Sequence, residues 1–207
     1  MKQFLSLVIV ILLFCSIVFI FWKQEWQYLV PTPIPKNYQA VLPTTNLSID
    51  SIIKLDKTKP VFLHFFSPDC PCSKYNIVHF RYLVEKYRNK INFYAVLFSE
   101  DINYTKNDFI SIYNVDIPII MQNGSKIAAL CGVYATPQAV IIKQDIKLNN
   151  LLFYQGNYNK SRYCSDKNTN FAELAIIDLL EGKEPPNFGQ LATRAYGCEL
   201  PENYFGK

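Results

Sequence analysis

A proline stands between two cysteines where an apolar run gives way to a helical pattern: VFLHFFSPDCPCSKYNIVHF, residues 61–80. VFLHFF (61–66) is short and continuously apolar, which suits a buried central strand. Ile77, Phe80, Val84 and Tyr87 then recur at helical spacing. Lys86, Arg88 and Lys90 gather at the end where a helix dipole welcomes cations. Pro71 fits the first helical position, where its missing N–H is no loss and its φ already suits the helix. Open α/β sheets place ligand and catalytic sites at this edge, where strands end and helices begin. Cys70 is then expected at the N-cap, its sulfur reachable at the sheet edge beside unpaired N–H groups. Such surroundings stabilise the thiolate, which is the nucleophilic form.

Strand and helix patterns alternate from about residue 45 onward. INFYAVLF (91–98) reads as a second buried strand, residues 105–114 as a helix, and IPIIM (117–121) as a short strand. QAVIIK (138–143) and LLFYQG (151–156) read as two strands joined through QDIKLNN. FAELAIIDLLEGK is a last helix, opened by Thr169 or Asn170 as N-cap and closed by Gly182. With the short 117–121 piece set aside, the expected order β-α-β-α-β-β-α describes an α/β sandwich around one mixed sheet.

Upstream, FLSLVIVILLFCSIVFIFW runs for 19 residues, Phe4 to Trp22, without a charge. At about 1.5 Å per residue that spans the roughly 30 Å hydrocarbon core of a bilayer. A cleaved signal peptide usually has an apolar stretch of about 7 to 15 residues and a small-residue exit. This run is longer and ends FIFWKQEW, so an uncleaved transmembrane helix is expected, with Trp22, Trp26 and Tyr28 in the interfacial belt. The alternating prolines of PTPIPKNYQAVLP favour extended polyproline II and suggest a semi-rigid spacer. The expected division is an anchor over 1–30, a Pro-rich linker over 31–45 and a globular domain over 46–207. Lys2 faces Lys23 and Lys36 across the span, so charge barely decides orientation. The five cysteines outside it favour an oxidising compartment, with the domain on the periplasmic or extracytoplasmic side. A net charge of +4 comes from scattered Lys and Arg, with no run that reads as a nucleic-acid stripe.

The segment around Cys70 is similar to the strand, Cys-x-x-Cys turn and helix of the thioredoxin superfamily, in its membrane-tethered, redoxin-like branch. GVYATPQAVII resembles the second hallmark of that family, a loop with a cis-proline beside the dithiol, followed by a strand. LLFYQGNYN and Gly197-Cys198 resemble features of the same branch, and the likeness covers about residues 50–200. It implies a thioredoxin-like fold and thiol–disulfide exchange, with protein or small-molecule thiols and disulfides as partners and no cofactor. Cys70 would be the attacking cysteine, and Thr136 with cis-Pro137 would pair with the extended backbone of a substrate.

The chain departs from the pattern at one place: the family's second cysteine falls at Ser73, and Cys72 is offered instead. Three routes stay open for releasing a mixed disulfide. Cys72 resolves it locally; a remote thiol does so, with Cys131 nearest in sequence to the proline loop; or Cys70 acts alone, with Ser73 donating a hydrogen bond. The expected catalytic pair is Cys70 and Cys72. Asp69 is awkward, because a carboxylate raises the pKa of a neighbouring thiol; it is expected to cap the helix instead. Cys164 and Cys198 lie in polar loop sequence and are candidates for a structural disulfide, although sequence does not fix connectivity. Cys15 reads as a small residue inside the apolar span, and His64 and His79 as packing residues.

Other functions compete. Thiolates at Cys70 and Cys72 suit Cu(I), but no histidine follows His79 and only two methionines are present, so no metal site is assigned. Ser67, three residues before Cys70, resembles a peroxidase position, whereas Leu63 stands where that pattern wants proline. A redox-inactive adaptor that keeps only the peptide-pairing loop is the last alternative.

Overall fold

The computed structural model describes residues 2–24, 26 and 30–200. The expectations placed on Tyr28 and on residues 201–207 lie outside the described residues. VFLHFF forms the central strand β1 (Val61–Phe66), with all six residues buried. It pairs in parallel with β2 (Asn92–Leu97), which pairs in parallel with the two-residue β3 (Ile119–Ile120). On its other side β1 pairs antiparallel with β5 (Gln138–Gln144), and β5 with β6 (Asn150–Gly156). The order β3-β2-β1-β5-β6 is a mixed sheet, as expected. The β5–β6 turn is held by Asp145, whose Oδ1 accepts the backbone N–H of Lys147 and of Asn149, each at 2.8 Å.

Alternating side chains of β1 feed two cores, because successive residues of a strand point to opposite faces. Phe62 and Phe66 pack with helix α2 (Pro71–Tyr87), through Ile77, Phe80, Leu83 and Val84, and with α5 (Phe171–Leu180), through Ala172, Ala175 and Ile176. Val61, Leu63 and Phe65 face the opposite layer, where α4 (Gly124–Cys131) contributes Ile127, Ala128 and Cys131. Each fully buried Phe or Leu contributes about 1.5–3 kcal/mol over its exposed state. Between α2 and α5, Glu173 Oε1 accepts from Tyr82 and Tyr87, each at 3.1 Å, and from Lys86 at 2.9 Å.

Helix α3 (Lys106–Tyr113) lies within the expected 105–114 and is opened by a capping box between Thr105 and Asp108. Helix α4 is an addition, as are the short helix α6 (Gln190–Thr193) and two two-residue strands, β4 (Ala135–Thr136) and β7 (Cys198–Glu199). β4 and β7 pair antiparallel with each other, apart from the main sheet.

The apolar run forms α1 (Lys2–Gln24), long and apolar enough to cross a membrane. The Pro-rich segment over 31–45 touches the domain along its length. Thr32 is buried and its backbone N–H donates to Ala195 at 2.8 Å, while Pro31 and Tyr196 form an antiparallel bridge. Tyr38 packs edge-on against Tyr134 and donates to the carbonyl of Gly132 at 3.1 Å. The prolines of 31–45 keep this segment out of helix, and Thr32 and Tyr38 tie it down.

Candidate active site

Cys70 is the N-cap of α2, in extended geometry (φ −91°, ψ 117°), and Pro71 is in the first turn. The turn from β1 is fastened from three sides. Ser73, fully buried, accepts the backbone N–H of Ser67 at 3.3 Å. Ser67 Oγ accepts the backbone N–H of Asp69 at 3.2 Å. Asp69 Oδ2 accepts the backbone N–H of Glu100 at 2.8 Å, so this carboxylate ties the turn to the loop after β2 rather than capping α2. Ser73 likewise has its oxygen committed across the turn, which is a structural use for the position the family gives to its second cysteine.

Thr136–Pro137 is a cis peptide bond, and the Thr136 carbonyl oxygen lies 3.3 Å from Cys70 Sγ. The loop is braced by Gln138, whose side-chain oxygen accepts the Tyr134 backbone N–H at 3.2 Å. The expected neighbours, Cys70 with Thr136 and Pro137, are therefore brought together.

The pairing of the cysteines differs from expectation. Cys70 is bonded to Cys198, 128 residues away, with Cα atoms 5.8 Å apart. The suggested Cys164–Cys198 disulfide is thus replaced: Cys164 is a free thiol that accepts a hydrogen bond from Asn76 Nδ2 at 3.3 Å. Burial, partly offset by that bond, pushes the Cys164 thiol up to about 11. Cys72 lies outside this disulfide and is fully buried. Side chains two apart on a helix diverge, so when the Cys70 sulfur points to the proline loop, the Cys72 sulfur points into the protein. Cys131 packs across the sheet from α2, where burial pushes its thiol up to about 12. A core thiol so rarely ionised is a poor resolving group.

Nor is Cys70 open to solvent as expected; it is 1% exposed. The reason is the partner strand. β7 pairs Cys198 with Thr136 and Glu199 with Ala135, which lays the C-terminal segment over the proline loop and its own sulfur over Cys70. Cys198 itself is partly exposed. Gly197 makes the approach feasible: its φ is +121°, and a Cβ there would fall 2.2 Å from the Thr136 carbonyl oxygen. Cys198 and Gly197 are the site residues that sequence reasoning left without a role at the turn. The available signal was the Gly-Cys pair itself.

A mixed sheet of this order, with a disulfide at the β1–α2 junction facing a cis-proline loop, is a thioredoxin-like fold. More narrowly, the chain belongs to the family described as Domain of unknown function (DUF6436), whose pattern matches residues 41–199. Among solved structures, the chain is similar to a hypothetical protein from Sinorhizobium meliloti (16% identity, 79% of this chain and 96% of that one, TM-score 0.61). It is also similar to an uncharacterized conserved protein from Geobacillus kaustophilus (18% identity, 83% and 94%, TM-score 0.59). A thioredoxin-like protein solved in its oxidized form is more distant (13% identity, 78% and 100%, TM-score 0.46). No curated protein matches the sequence. At these identities the likeness speaks to the fold alone.

Proposed function

We propose that the protein is a membrane-anchored, extracytoplasmic thiol–disulfide oxidoreductase whose redox couple is Cys70–Cys198. One observation carries this reading: the disulfide lies at the strand–helix turn, against the Thr136–Pro137 loop, where a nucleophilic sulfur and a pairing edge for substrate backbone meet. Reduced Cys70 attacks a substrate disulfide, forming a mixed disulfide and releasing one substrate thiolate. Cys198 then attacks the Cys70 sulfur, which frees the second substrate thiolate and restores the internal disulfide. An external dithiol returns the couple to its reduced form. Cys72 stays a thiol throughout, packed in the protein. The apolar helix α1 supports retention at a membrane, and a disulfide-bearing site supports an oxidising compartment.

The test is reduction of a disulfide-linked protein substrate by the full chain in detergent, driven by a dithiol. Cys70→Ser is expected to abolish turnover, and Cys198→Ser to lower it while trapping Cys70 in mixed disulfides. Undiminished turnover by Cys70→Ser would overturn the assignment.

A further inference from the structure

The strand that carries Cys198 does more than deliver a sulfur. It occupies the edge of the proline loop, pairing with Ala135 and Thr136 as an added strand, and it leaves Cys70 without access to solvent. Upstream of Gly197 the chain is fastened firmly. Asn157 Nδ2 donates to the carbonyls of Leu191 and Arg194 at 2.9 and 2.7 Å. The Ala195 backbone N–H donates to Tyr134 Oη at 3.0 Å, and Tyr196 Oη donates to Ser161 at 3.0 Å. Beyond Gly197 the fastening changes character. Among the described residues there remain a two-residue ladder, the backbone N–H of Leu200 on Tyr134 at 3.3 Å, the buried Leu200 side chain, and the disulfide. The change falls at a glycine in a conformation that other residues rarely adopt.

From this geometry we infer that residues 197–200 are a resident substrate mimic, a strap that closes the active site when Cys70 and Cys198 are oxidised and leaves it when they are reduced. The inference rests on the oxidoreductase reading and names its substrate class: an extended polypeptide segment bearing a cysteine, with glycine or open space on the N-terminal side of it. Such a segment replaces the strap on Ala135 and Thr136, since the same backbone edge cannot pair with both.

The exchange balances without other reagents than a dithiol. Cys198 is the exposed half of the disulfide, beside a groove lined by Pro31, Thr32, Pro33 and Glu199. A thiolate of the dithiol attacks the Cys198 sulfur there. The Cys70–Cys198 bond breaks, and its electron pair leaves on Cys70 as a thiolate at the first turn of α2. The second thiol of the reductant displaces Cys198 as a thiolate, so the reductant ends oxidised, the protein ends reduced, and the strap is released.

Hydrogen exchange on the wild-type full chain in detergent tests the release. Peptides covering 133–137 and 196–200 are expected to be protected in the oxidised form and to exchange about tenfold faster or more after reduction. Unchanged protection after reduction would overturn the strap. A second measurement tests the mimicry. The peptide Arg-Ala-Tyr-Gly-Cys-Glu-Leu, residues 194–200, is offered as its disulfide with thionitrobenzoate to the reduced Cys198→Ala chain. Capture by Cys70 is expected to be about tenfold faster than with the same peptide carrying alanine in place of Gly197, as a clash with the Thr136 carbonyl demands. Equal rates for the two peptides would overturn the mimicry. Dithiobis(nitrobenzoate) alone separates the two readings. If Cys70 reacts with this small disulfide while the strap stays protected, only the strap fails. If the strap releases but Cys70 exchanges with no disulfide, the oxidoreductase reading fails and the strap stands as a redox switch.

Discussion

His64 sits in β1, fully buried six residues before Cys70, with its ring stacked on Phe80 at 4.0 Å. Its Nδ1 lies 2.6 Å from the hydroxyl of Tyr158, which burial, with smaller contributions from Cys164, Tyr154 and Tyr196, holds well above its usual pKa. The Tyr158 hydroxyl therefore keeps its proton and shares a hydrogen bond with a neutral ring. Burial lowers the pKa of His64 from 6.5 to about 3. Below pH 6.5 the unfolded chain thus holds a proton that the folded chain does not, and stability falls as pH falls, until about pH 3. A single such group gives a slope of up to about 1.4 kcal/mol per pH unit. His79, whose pKa is lowered by burial against the opposing pull of Glu173, acts in the same direction. Urea titrations at pH 7 and pH 5 check this. His64→Phe is expected to lose about 1–3 kcal/mol by leaving the Tyr158 hydroxyl unpaired, and to flatten the slope; an unchanged slope would exclude His64 as its source. Legibility at this scale followed locality. Cys70, Pro71, Thr136 and Pro137 announce themselves through neighbours in the sequence, and His64 through its place in an apolar run. The partner of Cys70 does not, because a contact across 128 residues leaves no periodicity to read.

The same division holds among elements. β1, α2, β2, α3, β5, β6 and α5 carry patterns long enough to be read from apolar spacing. β4 and β7 are two residues each, too short for any alternation to register, yet their pairing is what closes the site. Helix α4 is readable in principle, since Ile127, Ala128 and Cys131 repeat at helical spacing. The approach to β7 depends on α6 sitting against β6. A Cβ at Gly156 would fall 2.3 Å from the Ala192 carbonyl oxygen, and the Asn157 backbone N–H donates to that carbonyl at 2.7 Å. Asn157→Ala removes the side-chain donor to Leu191 and Arg194. It is expected to cost about 1–3 kcal/mol of stability and, by loosening the anchor of the strap, to make Cys70–Cys198 easier to reduce. Chemical denaturation and a thiol–disulfide equilibrium titration measure the two effects separately. A stability loss with no change in the redox equilibrium would show that α6 does not position Cys198.

At the scale of the whole molecule, the apolar helix α1 and the disulfide-bearing turn are neighbours. The two Nη atoms of the buried Arg162 lie 3.5 Å from the Gln24 carbonyl at the end of α1. Thr32, eight residues on, donates from its hydroxyl to the Gly197 carbonyl at 3.3 Å. Chain geometry alone keeps Thr32 within about 30 Å of the helix end. Retention of the helix is expected, so peptide mapping of the protein recovered from membranes should find α1 joined to the domain; a mature protein lacking α1 would make it a leader instead. The account as a whole stands on which sulfur shares electrons with Cys70. Its most direct test is the reduction potential of the full chain in detergent, read by mass spectrometry of alkylated peptides across a glutathione series. One two-electron couple linking the Cys70 and Cys198 peptides is expected, kept in Cys72→Ser and lost in Cys198→Ser. A couple that survives Cys198→Ser and disappears in Cys72→Ser would contradict it.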